Sequence, residues 1–594
     1  MKYAYVIIPL VIFGIIGADF VLRKPKTDPT YTNIYRDDYV GPETCAECHQ
    51  DNYALWKDHA HRKMNQNPTD ETVLGDFSGR TLEYAGNRVV FHRDGEEFMI
   101  STYKQDQLFR RHKVTRTVGS LYLQYYIATQ VEGPEDPDHF TYKNESKFPY
   151  GYSFELNRWL PEIYFDSTFG AEHQYLSNDP SRKFVVDGPL THPWNTNCLI
   201  CHNTYPYEAR LWIQKGAPND KSFTGYPRES IDWQGEQFHQ GQFSLGPNIR
   251  GIHGDELVTV GISCESCHFG GREHAIEEKE IRFVPTSPDL TVVHPQTGEP
   301  VQSNREDPFV VNSICSQCHV AGLHEYPNGA HAINSSEALS MLAGACASRI
   351  KCTDCHNPHK TTPPSGAPDR TGYLTACISC HESYKDSAVV AAHTRHTESV
   401  NCLDCHMPRI VAGLNTVTRS HFIGSPTDKA MIQSGMPNAC NLCHLDKSTA
   451  WTISELEKGW GKKVFSDEEM ARSNPVMFEK PLGDLWMDAS FHLARLVGLE
   501  AHVRSPFIDD PVPRLLNGLN DEFAFNRTFA LIALQRHLGR KIPDEEFQLT
   551  GTPEERKEQV EQLRVRLAEE RVTADRDRRT DARQRTEESE IPTS

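Results

Sequence analysis

The chain opens on an almost unbroken apolar run. Tyr3 to Leu22 is a stretch of 20 residues with one charge, Asp19. It is long enough to cross a bilayer and also acceptable as the apolar part of a signal peptide. Ile16 is a poor third-position residue for cleavage after Ala18, which favours an uncleaved anchor, with a cleaved signal as the alternative. Arg23, Lys24, Pro25 and Lys26 end the run, and residues 23–40 read as a linker. A period of two follows. Leu82–Tyr84, Arg88–His92 and Glu97–Tyr103 predict short strands, with turns at Ala85–Asn87 and Arg93–Gly95. They predict a small β meander near the N-terminus, and the aromatic run Leu121–Ile127 reads as core packing. Residues 264–444 are rich in Pro, Gly and His, predicting short helices, turns and little sheet. From about 451 the period becomes helical, over Asp484–Gly498 and Asn520–Gly539.

These rhythms divide the chain into an anchor or signal segment (1–22), a linker (23–40), a central domain (41–450) with a β-containing insertion over about 73–190, a helical segment (451–545) and a charged tail (546–594). The helix over 520–539 resembles one HEAT-type repeat. Residues 553–594, rich in Glu, Arg, Lys and Gln, suggest an exposed helix fraying into disorder. The net charge of -19, from 62 Lys+Arg against 81 Asp+Glu, gives no basic stripe for a nucleic acid and reads as a solvated surface. The apolar share, 38% of residues, is modest for a chain of this length, so bound groups with apolar surface of their own would help to fill the interior.

Cysteine changes the picture most. There are 17, and 16 fall into eight C-x-x-C pairs. The pairs are Cys45/Cys48, Cys198/Cys201, Cys264/Cys267, Cys315/Cys318, Cys352/Cys355, Cys377/Cys380, Cys402/Cys405 and Cys440/Cys443. In every one the next residue is histidine: His49, His202, His268, His319, His356, His381, His406 and His444. Zinc sites and thioredoxin-like dithiols do not require that histidine. With 28 His in 594 residues, eight out of eight is not chance. Two thiols three apart can form thioethers with both vinyl groups of one haem, and the adjacent histidine can donate a nitrogen to its iron. Eight haem c groups are the expected cofactors. Cys346 has no such partner and reads as a buried thiol without a role.

A second histidine on each iron gives a low-spin electron-transfer centre, whereas an open position lets a small molecule bind. Histidines outside the motifs are numerous enough to fill every sixth position. His359, His396 and His421 have the best sequence context, followed by His274, His61 and His59; His393 also precedes the seventh motif.

Several stretches resemble the multihaem cytochromes of the c-552/c-554 type, related to the hydroxylamine oxidoreductase and octahaem reductase superfamily. They are Tyr39–Cys45, Trp56 with His59, His61 and Met64, Val73–Phe77, Asn195–Cys198, Ser263–His268, Cys352–His359, Asp404–Pro408 and Pro437–Cys440, spread over residues 39–452. The resemblance implies a mainly α fold with closely packed haem pairs and little regular sheet, and a C-terminal HEAT-like helical segment. It implies distal-ligand roles for His61, His274, His359, His396 and His421. No motif ends in Lys, which counts against the Lys-type nitrite and tetrathionate reductases, and no Tyr is singled out for the haem cross-link of hydroxylamine oxidation.

The expected function is electron transfer outside the cytoplasmic membrane, because c-type haem is attached there. This overrides the three basic residues after Leu22, which would favour the opposite orientation. The expected location is the periplasmic side of that membrane, anchored through 1–22, or free in the periplasm after cleavage. Expected partners are a redox protein or a quinol-linked donor or acceptor, with the C-terminal helices available to a protein partner. The alternative is an oxidoreductase for a small nitrogen or sulfur compound, using one open haem. Its best candidate is Cys198–His202, flanked by Trp194, Tyr205 and Tyr207, with His192 the nearest flanking histidine.

Overall fold

The computed structural model describes residues 30–176, 188–216, 225–234, 256–360, 370–396, 400–466, 468–469 and 478–589. Tyr3–Leu22 lies outside them. Among the described residues no helix is long and apolar enough to cross a membrane.

The N-terminal half is built on an eight-stranded antiparallel sheet. β2 (Arg80–Tyr84), β3 (Asn87–Asp94), β4 (Glu97–Lys104), β5 (Gln107–Val118), β6 (Leu123–Glu132), β7 (Ser146–Ser153) and β8 (Arg158–Pro161) follow in chain order, and β1 (Asn65–Gln66) pairs with β5. The sheet curls until β2 meets β8, almost closing a barrel. Tight turns set the register. Ala85 and Gly86 have φ of 52° and 75°, and Gln105 and Asp106 have 47° and 63°. Two successive positive-φ residues match the twist of the strands they join.

The expected mainly α fold with little sheet is therefore corrected, since 37% of residues are helical and 17% are in strands. The three anticipated strands are β2, β3 and β4; β5 to β8 were not anticipated. β5 turns Arg110, His112 and Val114 inward, so its charged residues sit where an apolar pattern was expected. Arg110 is tolerated because Glu135 pairs with it. β6 is buried on most positions of both faces, so it shows an aromatic run rather than alternation.

Aromatic side chains fill the sheet. Phe91 stacks on Trp159 at 3.6 Å, and Phe77 meets both rings edge-on. The Trp159 indole donates to the Asp76 carbonyl at 3.0 Å. Gly75 passes so close that a Cβ there would strike the Tyr126 hydroxyl and the Trp159 ring.

The same core continues into the C-terminal helices. Ala524–Leu538 is buried all round from Ala524 to Gln535, as expected for a helix enclosed by neighbours rather than lying on a surface. Glu172, next to the sheet, accepts from Tyr84 and Tyr164, each at 2.9 Å. It also pairs with Arg527 at 2.7 Å and Arg556 at 3.0 Å. The charged tail differs from expectation too. Helix Pro553–Ser589 buries Val560, Leu563 and Leu567, spaced to share one face, so its first turns are docked rather than exposed.

Candidate haem-iron centres

Each cysteine motif is folded as one helical turn. The histidine N–H donates to the carbonyl of the first cysteine: His49 to Cys45 at 2.9 Å, His202 to Cys198 at 3.2 Å, His268 to Cys264 at 3.0 Å and His319 to Cys315 at 3.1 Å. The bonds from His356 to Cys352, His381 to Cys377 and His444 to Cys440 measure 2.9, 3.0 and 3.0 Å. The seventh motif is itself the helix Cys402–His406, capped by Asn401. Positions i, i+3 and i+4 of a helical turn share one face. Two sulfurs and an imidazole are thereby presented together.

Six of the eight motif histidines face a second histidine. His49 and His274 have ring centroids 6.1 Å apart, His268 and His359 6.3 Å, His356 and His421 6.1 Å. His406 faces His393 at 6.2 Å, His444 faces His396 at 6.3 Å, and His319 faces His61 at 6.4 Å. A metal–imidazole bond is about 2 Å long, and roughly another 1.1 Å separates nitrogen from ring centre, so two imidazoles on one metal atom stand about 6.2 Å apart. The histidine pairs fit an iron between them. Burial lowers His61 to about 3 and His202 and His268 to about 4, keeping them neutral as a metal ligand must be. Glu337 hydrogen-bonds His319 and raises it to about 9, so this ring keeps a second proton until a metal displaces it from the nitrogen facing away from Glu337.

The motifs also touch one another. Cys45 contacts Cys264, Cys201 contacts Cys318, and Cys315 contacts Cys352. Cys267 lies within electrostatic reach of Cys318, Cys355 of Cys377, Cys377 of Cys402, and Cys405 of Cys440. The order is one, three, four, five, six, seven, eight, with the second motif joining at the fourth. Cys48, Cys380 and Cys443, in the first, sixth and eighth motifs, are exposed.

A family model described as Cytochrome c552 matches residues 381–476, which contain the two facing pairs His393/His406 and His396/His444. Over that stretch the chain is similar to the c-type cytochromes. The crystal structure of the outer cell wall cytochrome OcwA is similar to this chain at 14% identity, covering 84% of this chain and 98% of that one, with a TM-score of 0.35. No curated protein matches it.

The fold brings His61, His274, His359, His396 and His421 each opposite a motif histidine. His393 was left out of the candidate ligands, and it faces His406. His396, three residues on, has the better sequence context. Arg395 between them is left-handed, with φ of 53°. That reversal at the end of helix Ser387–Thr394 turns the two rings toward different motifs. His59 lies against His61 at 4.6 Å and faces no motif histidine. Among the described residues no second histidine ring faces His202 or His381. His202 Nδ1 is buried without a hydrogen-bond partner. His192 is exposed, and its carbonyl accepts from Lys147. Trp194 and Tyr205 pack with Leu199, Val118 and Ile127, an ordinary core cluster. Cys346 is partly exposed, not buried as expected, and lies near Cys377.

Proposed function

We propose that this cytochrome holds eight covalent haem c groups and passes electrons along them on the outer side of the cytoplasmic membrane. The observation that carries the reading is the set of six facing histidine pairs at 6.1–6.4 Å, joined through the touching motifs. When bound, haem supplies a one-electron iron couple. The chain's own residues do the rest. The sixteen cysteines fix each group covalently where little apolar surface is available. His49, His202, His268, His319, His356, His381, His406 and His444 supply the near ligand, and His274, His359, His61, His421, His393 and His396 the far one at six of them. Exposed Cys48, Cys380 and Cys443 mark where a redox protein or a quinol-linked partner would exchange electrons.

Intact mass of the denatured, mature protein tests the count. Eight haem masses above the apoprotein are expected, and seven or fewer would overturn it. Fractionation after opening the outer envelope tests the location. Haem-loaded protein in the cytoplasm would refute it, whereas soluble release with a new N-terminus near Asp19 would refute only the anchor.

A second reading rests on the second motif. His202 has no histidine opposite it among the described residues, so a small nitrogen or sulfur compound could reach an iron held there. Cyanide, nitric oxide or hydroxylamine added to oxidised and reduced protein should then perturb the haem spectrum. No perturbation with any of them would remove the chemical basis for catalysis.

A further inference from the structure

The histidines of the facing pairs differ in what holds their Nδ1 atoms. His406 is hydrogen-bonded to the Gly424 carbonyl at 2.8 Å, His274 to the Lys279 carbonyl at 2.7 Å and His396 to the Thr394 carbonyl at 2.6 Å. His319 instead meets a carboxylate, Glu337 Oε2, at 3.0 Å. Among the described residues, no other histidine of a facing pair has a carboxylate on its ring.

The carboxylate is held in place from several directions. Its other oxygen accepts the Ser335 N–H at 3.0 Å. Ser335 is left-handed, with φ of 61°, a conformation that a residue with a Cβ adopts only against steric resistance. The next residue of the helix Glu337–Ala343, Ala338, donates its N–H back to the His319 carbonyl at 3.1 Å. Helix start, carboxylate and imidazole thus form one closed unit. His421, on the far side of the neighbouring fifth motif, lies within electrostatic reach of the same carboxylate.

The fourth motif is the junction of the contact chain. Cys318 touches Cys201 and lies within reach of Cys267, while Cys315 touches Cys352. Four motifs meet there, and the one anionic ring partner sits at the meeting point.

We propose that Glu337 is a positioning residue that makes His319 a more strongly donating iron ligand and gives the haem at the junction a lower reduction potential than its neighbours. A carboxylate on the outer nitrogen of a metal-bound imidazole fixes the ring and raises its basicity, and a more basic ligand favours the ferric state. The negative charge favours the ferric state at the fifth motif as well, more weakly because no hydrogen bond reaches His421 from Glu337. A low-potential junction would stand as an uphill step between the branch at the second motif and the line toward the eighth, slowing electron exchange between them. The inference rests on the proposed haem ligation by His319.

Redox titration of the mature protein and of Glu337→Gln tests it, followed by optical and electron paramagnetic resonance spectra. The amide keeps a hydrogen-bond acceptor and removes the charge. One midpoint should move positive by a tenfold change in its equilibrium constant or more, about 59 mV for a one-electron couple. Glu337→Asp should lie between the two. A Gln variant with eight haems, the same low-spin signals and a titration overlaying the parent would overturn the proposal. Should that variant not mature, the parent protein decides. Its near-infrared magnetic circular dichroism should contain one charge-transfer band displaced to higher energy from the rest, and a single unsplit band would overturn the proposal. Haem missing from the Cys315/Cys318 peptide would instead remove the reading on which it rests.

Discussion

The curled sheet and the segment 342–402 show two ways of making a folded structure. The sheet packs Phe91, Trp159, Tyr126, Tyr150 and Phe148 into a continuous core that it shares with the C-terminal helices. Segment 342–402 contains the fifth and sixth motifs. Among its described residues no hydrophobic side chain is buried, and of the polar ones only Thr394 is. The first region is organised by its own burial. The second has no comparable apolar core of its own, and the proposed haem groups would supply apolar surface there. A short chain without a core commonly needs such staples, and here the need is local to one stretch of a large protein.

The most forceful way to break that contrast is to make the protein without haem attachment. Hydrogen exchange should then show 342–402 unprotected and β3 and β4 still protected; protection of 342–402 in the apoprotein would end the argument. Trp159→Ala attacks the other region. It removes the ring stacked on Phe91 and should lower stability by about 3–5 kcal/mol in denaturant titration. The haem absorption spectrum of the folded protein should be unchanged. Glu172→Gln leaves buried Arg527 and Arg556 without their anion, and about 3 kcal/mol is expected from such a broken pair. Proteolysis should then release helix Pro553–Ser589 before it cuts the sheet. The smallest effect belongs to His359→Ala. Covalent haem should remain, one low-spin signal should become high-spin, and stability should change less than in Trp159→Ala or Glu172→Gln. An unchanged spectrum would show that His359 is not a ligand.

The two regions were also unequally legible in the sequence. The cysteine motifs could be read directly because the spacing that serves the chemistry is the spacing of one helical turn. His61, His274, His359, His396 and His421 were named from the family resemblance, and each lies opposite a motif histidine. What could not be read was which ring meets which motif, since His61 crosses from the first motif to the fourth and His274 from the third to the first. His393 was lost to the same ambiguity. In the sheet the failure had another origin. Binary pattern finds strands with one wet face, such as β3, but β6 is buried on most positions of both faces and β5 buries Arg110 and His112. Pairing with Glu135 makes the Arg110 placement possible, and the partner lies 25 residues away. The helix Ala524–Leu538 was visible by period, yet its enclosure depended on the distant sheet.

Consider again the corner His393–Thr394–Arg395–His396. The Trp460 indole donates to the His393 carbonyl at 2.6 Å, the Arg395 guanidinium lies over the Trp460 ring at 6.0 Å, and His396 Nδ1 is bonded to the Thr394 carbonyl. The corner is a bracket with two arms, bolted to the helix Thr449–Trp460 behind it. One arm reaches the seventh motif and the other the eighth. Neither ring can swing away without twisting the backbone that carries its neighbour. Loosening one arm therefore loads the other, and the last two stations of the chain should hold or fail as a mechanical pair.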